Sequence, residues 1–175
     1  MALYNPNAKP AAIPITPTPK EEIAQTVLSF GNPIVATSSS VSTLNYSLPI
    51  NITTGKNKVT AVQLELQYDP KVLRNVAVIP DVFFSNPEVL LNQIDIKTGR
   101  ITYALGSSLQ DQAVMGEGVV ATLNFEAEIG TPKETLILFL PKTLVTAEGV
   151  NQPVLKQTNN IQLIVGERIS TPSAQ

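Results

Sequence analysis

The amino-acid sequence predicts an all-β sandwich, and three observations carry that reading. Val, Ile and Thr together supply 49 of the 175 residues, and branching at Cβ favours an extended, pleated backbone over a helix. Apolar and polar residues alternate with period two, most plainly where Val62, Leu64, Leu66 and Tyr68 interleave with Ala61, Gln63, Glu65 and Gln67. That is the pattern of an antiparallel strand with one face buried and one solvated. Turn chemistry punctuates the runs at Thr54-Gly55-Lys56-Asn57, Lys97-Thr98-Gly99-Arg100, Gly116-Glu117-Gly118 and Glu148-Gly149, a spacing that suits eight or nine short strands.

Taken in order, residues 1–25 read as a linker or tail, because five of the 14 prolines fall between Pro6 and Pro19. Proline fixes φ and removes a backbone donor, so such a segment is extended and has no core of its own. Residues 167–175, ending Ile169-Ser170-Thr171-Pro172-Ser173-Ala174-Gln175, have a similar composition. Between them lies the sandwich, 26–166; its flanks are either linkers to further modules or ordinary loose termini. Lys20 to Leu28 carries a weak signal for two helical turns, and Ser85-Asn86-Pro87-Glu88 resembles a helix start with proline inside it. The remaining runs are strand-like: Leu44-Tyr46-Leu48-Ile50, Ile101-Tyr103-Leu105, Val119-Ala121-Leu123-Phe125 and Ile161-Leu163-Val165. Ile94 to Leu105 reads as a hairpin about Lys97-Thr98-Gly99. Gly118 is expected to permit the turn into its strand. Tyr46, Tyr68, Tyr103 and Phe125 fall in the apolar phase and are expected in the core. Phe83 and Phe84, between Pro80 and Pro87, either plug one end of the sandwich or stand exposed.

Composition narrows the chemistry. The chain has no His, no Cys and no Trp, so Ser-His and Cys-His nucleophiles, ordinary zinc sites and thiolate-bound clusters are all excluded. Twelve Lys+Arg stand against 14 Asp+Glu, a net charge of −2, with no basic cluster of the kind that binds nucleic acid. No apolar run approaches the length of a membrane span. The acids show no catalytic spacing: Glu126 and Glu128 share one face of a strand, where solvated charge is the ordinary case. A loop near Asp69 or Asp111 could bind calcium, on a weak sequence signal. The shortage of aromatics, nine in all without Trp, counts against a carbohydrate-binding platform.

A longer pattern adds to this. The run Asn57-Lys58-Val59-Thr60-Ala61-Val62-Gln63-Leu64-Glu65-Leu66-Gln67-Tyr68-Asp69-Pro70-Lys71-Val72-Leu73 resembles the cohesin domain family, in which a strand ends in Tyr-Asp-Pro-x-Val-Leu. In order there follow Asp95 with Gly99-Arg100-Ile101, then Gly116 to Phe125, Ala147-Glu148-Gly149, and the closing strand Asn160 to Val165. Physically, Pro70 ends its strand by removing a ladder donor, and Asp69 can cap the turn that follows.

The resemblance implies a nine-stranded antiparallel β-sandwich with jelly-roll topology, and a module that binds a dockerin-bearing protein through one sheet face. Such a module belongs to larger secreted or surface proteins of bacteria or archaea. No cofactor is expected on this chain, since calcium in that pairing sits mainly on the dockerin, and the isolated module is expected to be monomeric. The matching face would carry Ala61, Gln63 and Glu65 on one strand, Gln93 and Asp95 on a second, and Thr102, Ala104 and Ser108 on a third. The run Leu136 to Leu140 is apolar throughout. Ile137 and Phe139 are expected inside, which leaves Leu136, Leu138 and Leu140 either as an exposed stripe on the face or covered from outside. A carbohydrate-binding module and a structural or adhesion spacer are the competing readings, with an enzyme last.

Overall fold

A computed structural model describes residues 23–37, 42–108 and 111–167. Apart from Ile23 to Gln25 and Glu167, the two terminal tails expected from the sequence lie outside these residues.

The described chain forms twelve strand segments: β1 (Thr26–Phe30), β2 (Ile34–Thr37), β3 (Thr43–Thr53), β4 (Val59–Gln67), β5 (Arg74–Pro80), β6 (Pro87–Asp95), β7 (Arg100–Ser107), β8 (Glu117–Glu128), β9 (Lys133–Phe139), β10 (Leu144–Ala147), β11 (Leu155–Asn159) and β12 (Ile161–Val165). One sheet runs β11-β1-β3-β8-β5 with β2 also on β3; the other runs β12-β9-β4-β7-β6 with β10 also on β4.

These segments make nine passages, because three passages are broken. β1 and β2 both pair with β3, but Phe30 and Ile34 are four positions apart while their partners Ile50 and Ser47 are three apart. Gly31 and Pro33 occupy that bulge, and a proline has no N–H for the ladder. β9 and β10 both pair with β4, yet Phe139 and Leu144 are five positions apart against three for Leu66 and Gln63; Pro141 lies in this break. β11 and β12 are parted by Asn160 alone, where the chain leaves one sheet for the other. Asn160 seals the crossing by accepting the Phe139 N–H on its Oδ1 at 2.8 Å. The nine strands that the resemblance implies thus correspond to nine passages in twelve segments. Their pairing is antiparallel except at β1–β11, which is parallel. An odd number of alternating passages brings the first and last to lie in the same direction.

Neither helix signal survives among the described residues, which begin at Ile23. Thr26 opens β1 instead, its N–H donated to Val154, and Pro87 is the first residue of edge strand β6, a position where the missing donor does no harm. Ladder pairing outweighs these weak local signals.

The core lies between the sheets. Tyr46 stacks on Phe125 with ring centroids 5.1 Å apart. Phe83 and Phe84 are buried, packed edge to face at one end, so they are a plug. Gly118 serves that plug: a Cβ there would come within 3.2 Å of the Phe83 ring. The turn expected of Gly118 belongs to Gly116, whose φ of 124° suits glycine.

Two core tyrosines differ in a testable way. Tyr46 Oη accepts the Gly166 N–H at 2.9 Å, whereas the Tyr103 hydroxyl is buried without a partner, and burial pushes its pKa up. A made hydrogen bond is worth about 1 kcal/mol, and an unmet buried hydroxyl costs a similar amount. Urea unfolding should show Tyr46→Phe less stable by about 1 kcal/mol and Tyr103→Phe equal to or more stable than the parent. Equal losses in the two variants would contradict this assignment.

Candidate functional site

The outer face of the β12-β9-β4-β7-β6 sheet can be read in rows from its register. Gln67 stands opposite Leu138 on one side and Arg100 on the other, and Arg100 stands opposite Asp95. The next row is Glu65, Thr102 and Gln93; the next is Leu144, Gln63, Ala104 and Leu91; the last is Thr146, Ala61, Gly106 and Glu88. The face thus mixes charged and amide groups with small and aliphatic side chains: Glu65, Arg100 and Asp95 gather in the first two rows, and Glu88 stands in the last. Leu91 joins it because a bulge between Val89 and Leu91 resets the register of β6.

Glu65 is the centre of that charged group. Arg100 Nε and Nη2 both donate to Glu65 Oε2, at 3.2 and 2.9 Å, and the glutamate is only 4% exposed. The break between β9 and β10 falls opposite this residue. The Glu65 carbonyl accepts the Leu140 N–H at 2.7 Å. The Thr143 hydroxyl accepts the Glu65 N–H and donates to its carbonyl, each at 3.1 Å. A side chain thus completes the ladder where Pro141 interrupts it. The sequence places Glu65 in the solvent phase, and the structure corrects this: it faces outward but lies beneath Arg100.

Asp95 closes the β6–β7 hairpin. It accepts Lys97 N–H at 2.9 Å and Thr98 Oγ1–H at 2.8 Å, and Gly99, at φ 72°, completes the turn. The Thr98 hydroxyl, then the Lys97 and Thr98 amides, hold its carboxyl below the usual aspartate value. An acid held low in the fold favours folding while it is ionised. This contribution is complete above about pH 4 and is lost as pH falls through the lowered value. A carbon-detected NMR titration should place the Asp95 midpoint below that of a free aspartate, and Thr98→Val should raise it; an unshifted midpoint in the variant would refute the hydroxyl's role. Burial, and secondarily the Asp95 charge, pushes the Tyr68 hydroxyl up.

Gln63 and Gln67 spend their amide donors internally, on Lys142 O and on Tyr68 O and Thr98 O. Of the other residues singled out by sequence, Ala61, Thr102 and Ala104 are half-buried on the face, and Gln93 and Asp95 are exposed on β6. Ser108 falls one residue beyond β7, outside the sheet. Of the two readings left open for the leucine stripe, neither holds for all three residues: Leu136 is 52% exposed, whereas Leu138 and Leu140 are half-buried and Leu140 lies in the β9–β10 break. Sequence reasoning missed Ile164, 61% exposed, although its phase opposite to Leu163 and Val165 already points it outward. Arg100 was also missed, since its role depends on cross-strand register.

Elsewhere Glu126 accepts from Asn75, and Glu128 pairs with Arg74 at 2.7 Å, as solvated sheet charges do. Asp69 Oδ1 caps its own turn by accepting the Lys71 N–H, and Asp111 accepts from Asn86. Among the described residues no group of three or more His, Cys, Asp or Glu is placed to hold a metal ion. None of the described aromatic side chains is exposed.

The architecture is a jelly-roll β-sandwich with a mixed polar and aliphatic outer face on one sheet. The chain belongs to the cohesin domain family, whose model matches residues 27–165. Among solved structures, a cohesin from Clostridium acetobutylicum, CaCohA2, in complex with a singly substituted form of the dockerin CaDoc0917, is 17% identical, with a TM-score of 0.60, covering 81% of this chain and 99% of that one. The third cohesin of ScaC from Acetivibrio cellulolyticus, in complex with the ScaB dockerin, is 14% identical, with a TM-score of 0.60 and the same coverages of 81% and 99%. The seventh type I cohesin of ScaB from Pseudobacteroides cellulosolvens is 14% identical, with a TM-score of 0.59, covering 86% and 96%. At these identities the likeness carries the fold. No curated protein matches the sequence.

Proposed function

We propose that this chain is a non-catalytic recognition module that binds a dockerin-type partner through the outer face of β9, β4, β7 and β6. The observation that carries this reading is family membership across residues 27–165. The face supports it, since it carries small and aliphatic side chains together with charged and amide groups, the mixture found in non-obligate interfaces. The contact residues are Ala61, Gln63, Glu65, Gln93, Asp95, Thr102, Ala104 and Leu136, with Leu138 and Leu140 at the margin and Ser108 beyond the sheet. Glu65 acts through Arg100. The module works outside the cell or at its surface, as part of a larger secreted protein. The partner is another protein, and no helix among the described residues is long and apolar enough to cross a membrane.

Calorimetric titration of the full chain with dockerin-type modules, in calcium and in excess chelator, tests this. Saturable binding in calcium alone is expected, because the metal belongs to the partner's fold. Calcium-independent affinity for insoluble polysaccharide, with no dockerin-type module bound, would overturn the reading.

A further inference from the structure

β4 ends before β9 does. Its last ladder residues, Leu66 and Gln67, pair with Phe139 and Leu138, whereas β9 continues to Lys133 against β12 alone. Parity tells which way the remaining backbone points. Leu140 donates toward β4, to Glu65, and Phe139 donates toward β12, to Asn160; successive residues of an antiparallel strand alternate in this way. Leu136 and Glu134 therefore turn their N–H and C=O groups to the side that β4 has left. Among the described residues no ladder pair and no other backbone hydrogen bond reaches them there. The chain after Gln67 does not return: Tyr68 donates to Gly99, and the Asp69 carbonyl accepts Val72 and Leu73.

The resulting open groove, of about 480 Å³, has Gln67 and Asp69 on one side and Glu134, Thr135 and Leu136 on the other. Thr135 Oγ1 is buried without a hydrogen-bond partner. The lining includes two carboxylates, Glu134 and Asp69, and no cation. Gln67 and Leu138 belong both to this groove and to the first row of the docking face.

We infer that this notch is a strand-addition site. An extended segment flanking the docked partner module continues the line of β4 and bonds to the free edge of β9. Unpaired strand edges bind extended peptide by main-chain hydrogen bonds, and alternate side chains give the selectivity. The register sets the chemistry of the segment. Opposite Leu136 it carries an aliphatic residue on the outer face. Next, opposite Thr135, comes a small hydroxyl residue turned inward. Then, opposite Glu134, comes Lys or Arg, drawn by Glu134 and Asp69. The source of the segment rests on the docking proposed above; its chemistry does not.

The first probe is the blocked peptide acetyl-Thr-Leu-Thr-Lys-Thr-amide, titrated into the ¹⁵N-labelled full chain. Saturable shifts and slowed exchange at the Glu134 and Leu136 amides are expected, with about tenfold weaker binding when Glu replaces the peptide's Lys. Shifts that do not saturate, that centre on another free edge such as β6, or that ignore the charge change overturn the site. In the second arm, a dockerin-type module with such a flank should bind about tenfold more tightly than the trimmed module. Equal affinity overturns the partner as the source. No affinity in either form overturns the docking reading itself, whatever the peptide does.

Discussion

Ala104→Arg is expected to abolish binding of a dockerin-type partner, by about 100-fold or more, while shifting Tm by no more than about 2 °C. Ala104 sits in the middle of the face, between Gln63 on β4 and Leu91 on β6, and is half-buried by its neighbours. In the free chain an arginine there extends into solvent, so the fold loses little. In a complex the same side chain lies under the partner, where the docked surfaces leave it neither room nor a counter-charge, and an unpaired buried charge is strongly unfavourable. Asn45→Arg is the control, because Asn45 is exposed on the other sheet, opposite Glu126. Titration of both variants with the same module decides the matter. Retained affinity in Ala104→Arg, or loss in Asn45→Arg, would place the interface elsewhere.

The face was legible in sequence where it depends on period two, and obscure where it depends on register. Ala61, Gln63 and Glu65 alternate with buried Val62, Leu64 and Leu66, so their phase follows from the strand alone. That Glu65 is covered does not, because its cover is Arg100, 35 residues away, brought near only by the β4–β7 pairing. The leucine stripe was left open between two readings for a related reason. Period two applied across Leu136 to Leu140 assumes an unbroken strand, and Pro141 ends β9 at Phe139. Local proline and glycine signals located turns well, as at Gly99 and Gly149, both with positive φ. They misjudged Gly118, whose role is close packing against a ring contributed by another part of the chain. The three broken passages belong to the same class. A bulge or a change of sheet is a relation between two strands, and one strand's sequence carries only half of it.

The buried carboxylate also gives the largest stability effect expected on the face. Arg100→Ala should destabilise the chain by about 2 kcal/mol, and Arg100→Ala with Glu65→Gln should recover most of that loss. Breaking a fully buried ion pair costs more, but the Arg100 side chain is 46% exposed against 5% for Glu65, so water replaces part of what the guanidinium supplied. What remains is an outward-facing carboxylate without its partner, on a backbone that the Thr143 hydroxyl and Leu140 fix in place. Its backbone is fixed, so after loss of the guanidinium it can gain water only by rotating its side chain. Converting it to an amide removes the stranded charge while keeping its shape, so the two substitutions should be non-additive by about 1 kcal/mol or more. Urea unfolding of the parent, both single variants and the double variant measures this coupling directly. Simple additivity would mean that the pair is a surface contact and that Glu65 is free to meet a partner by itself.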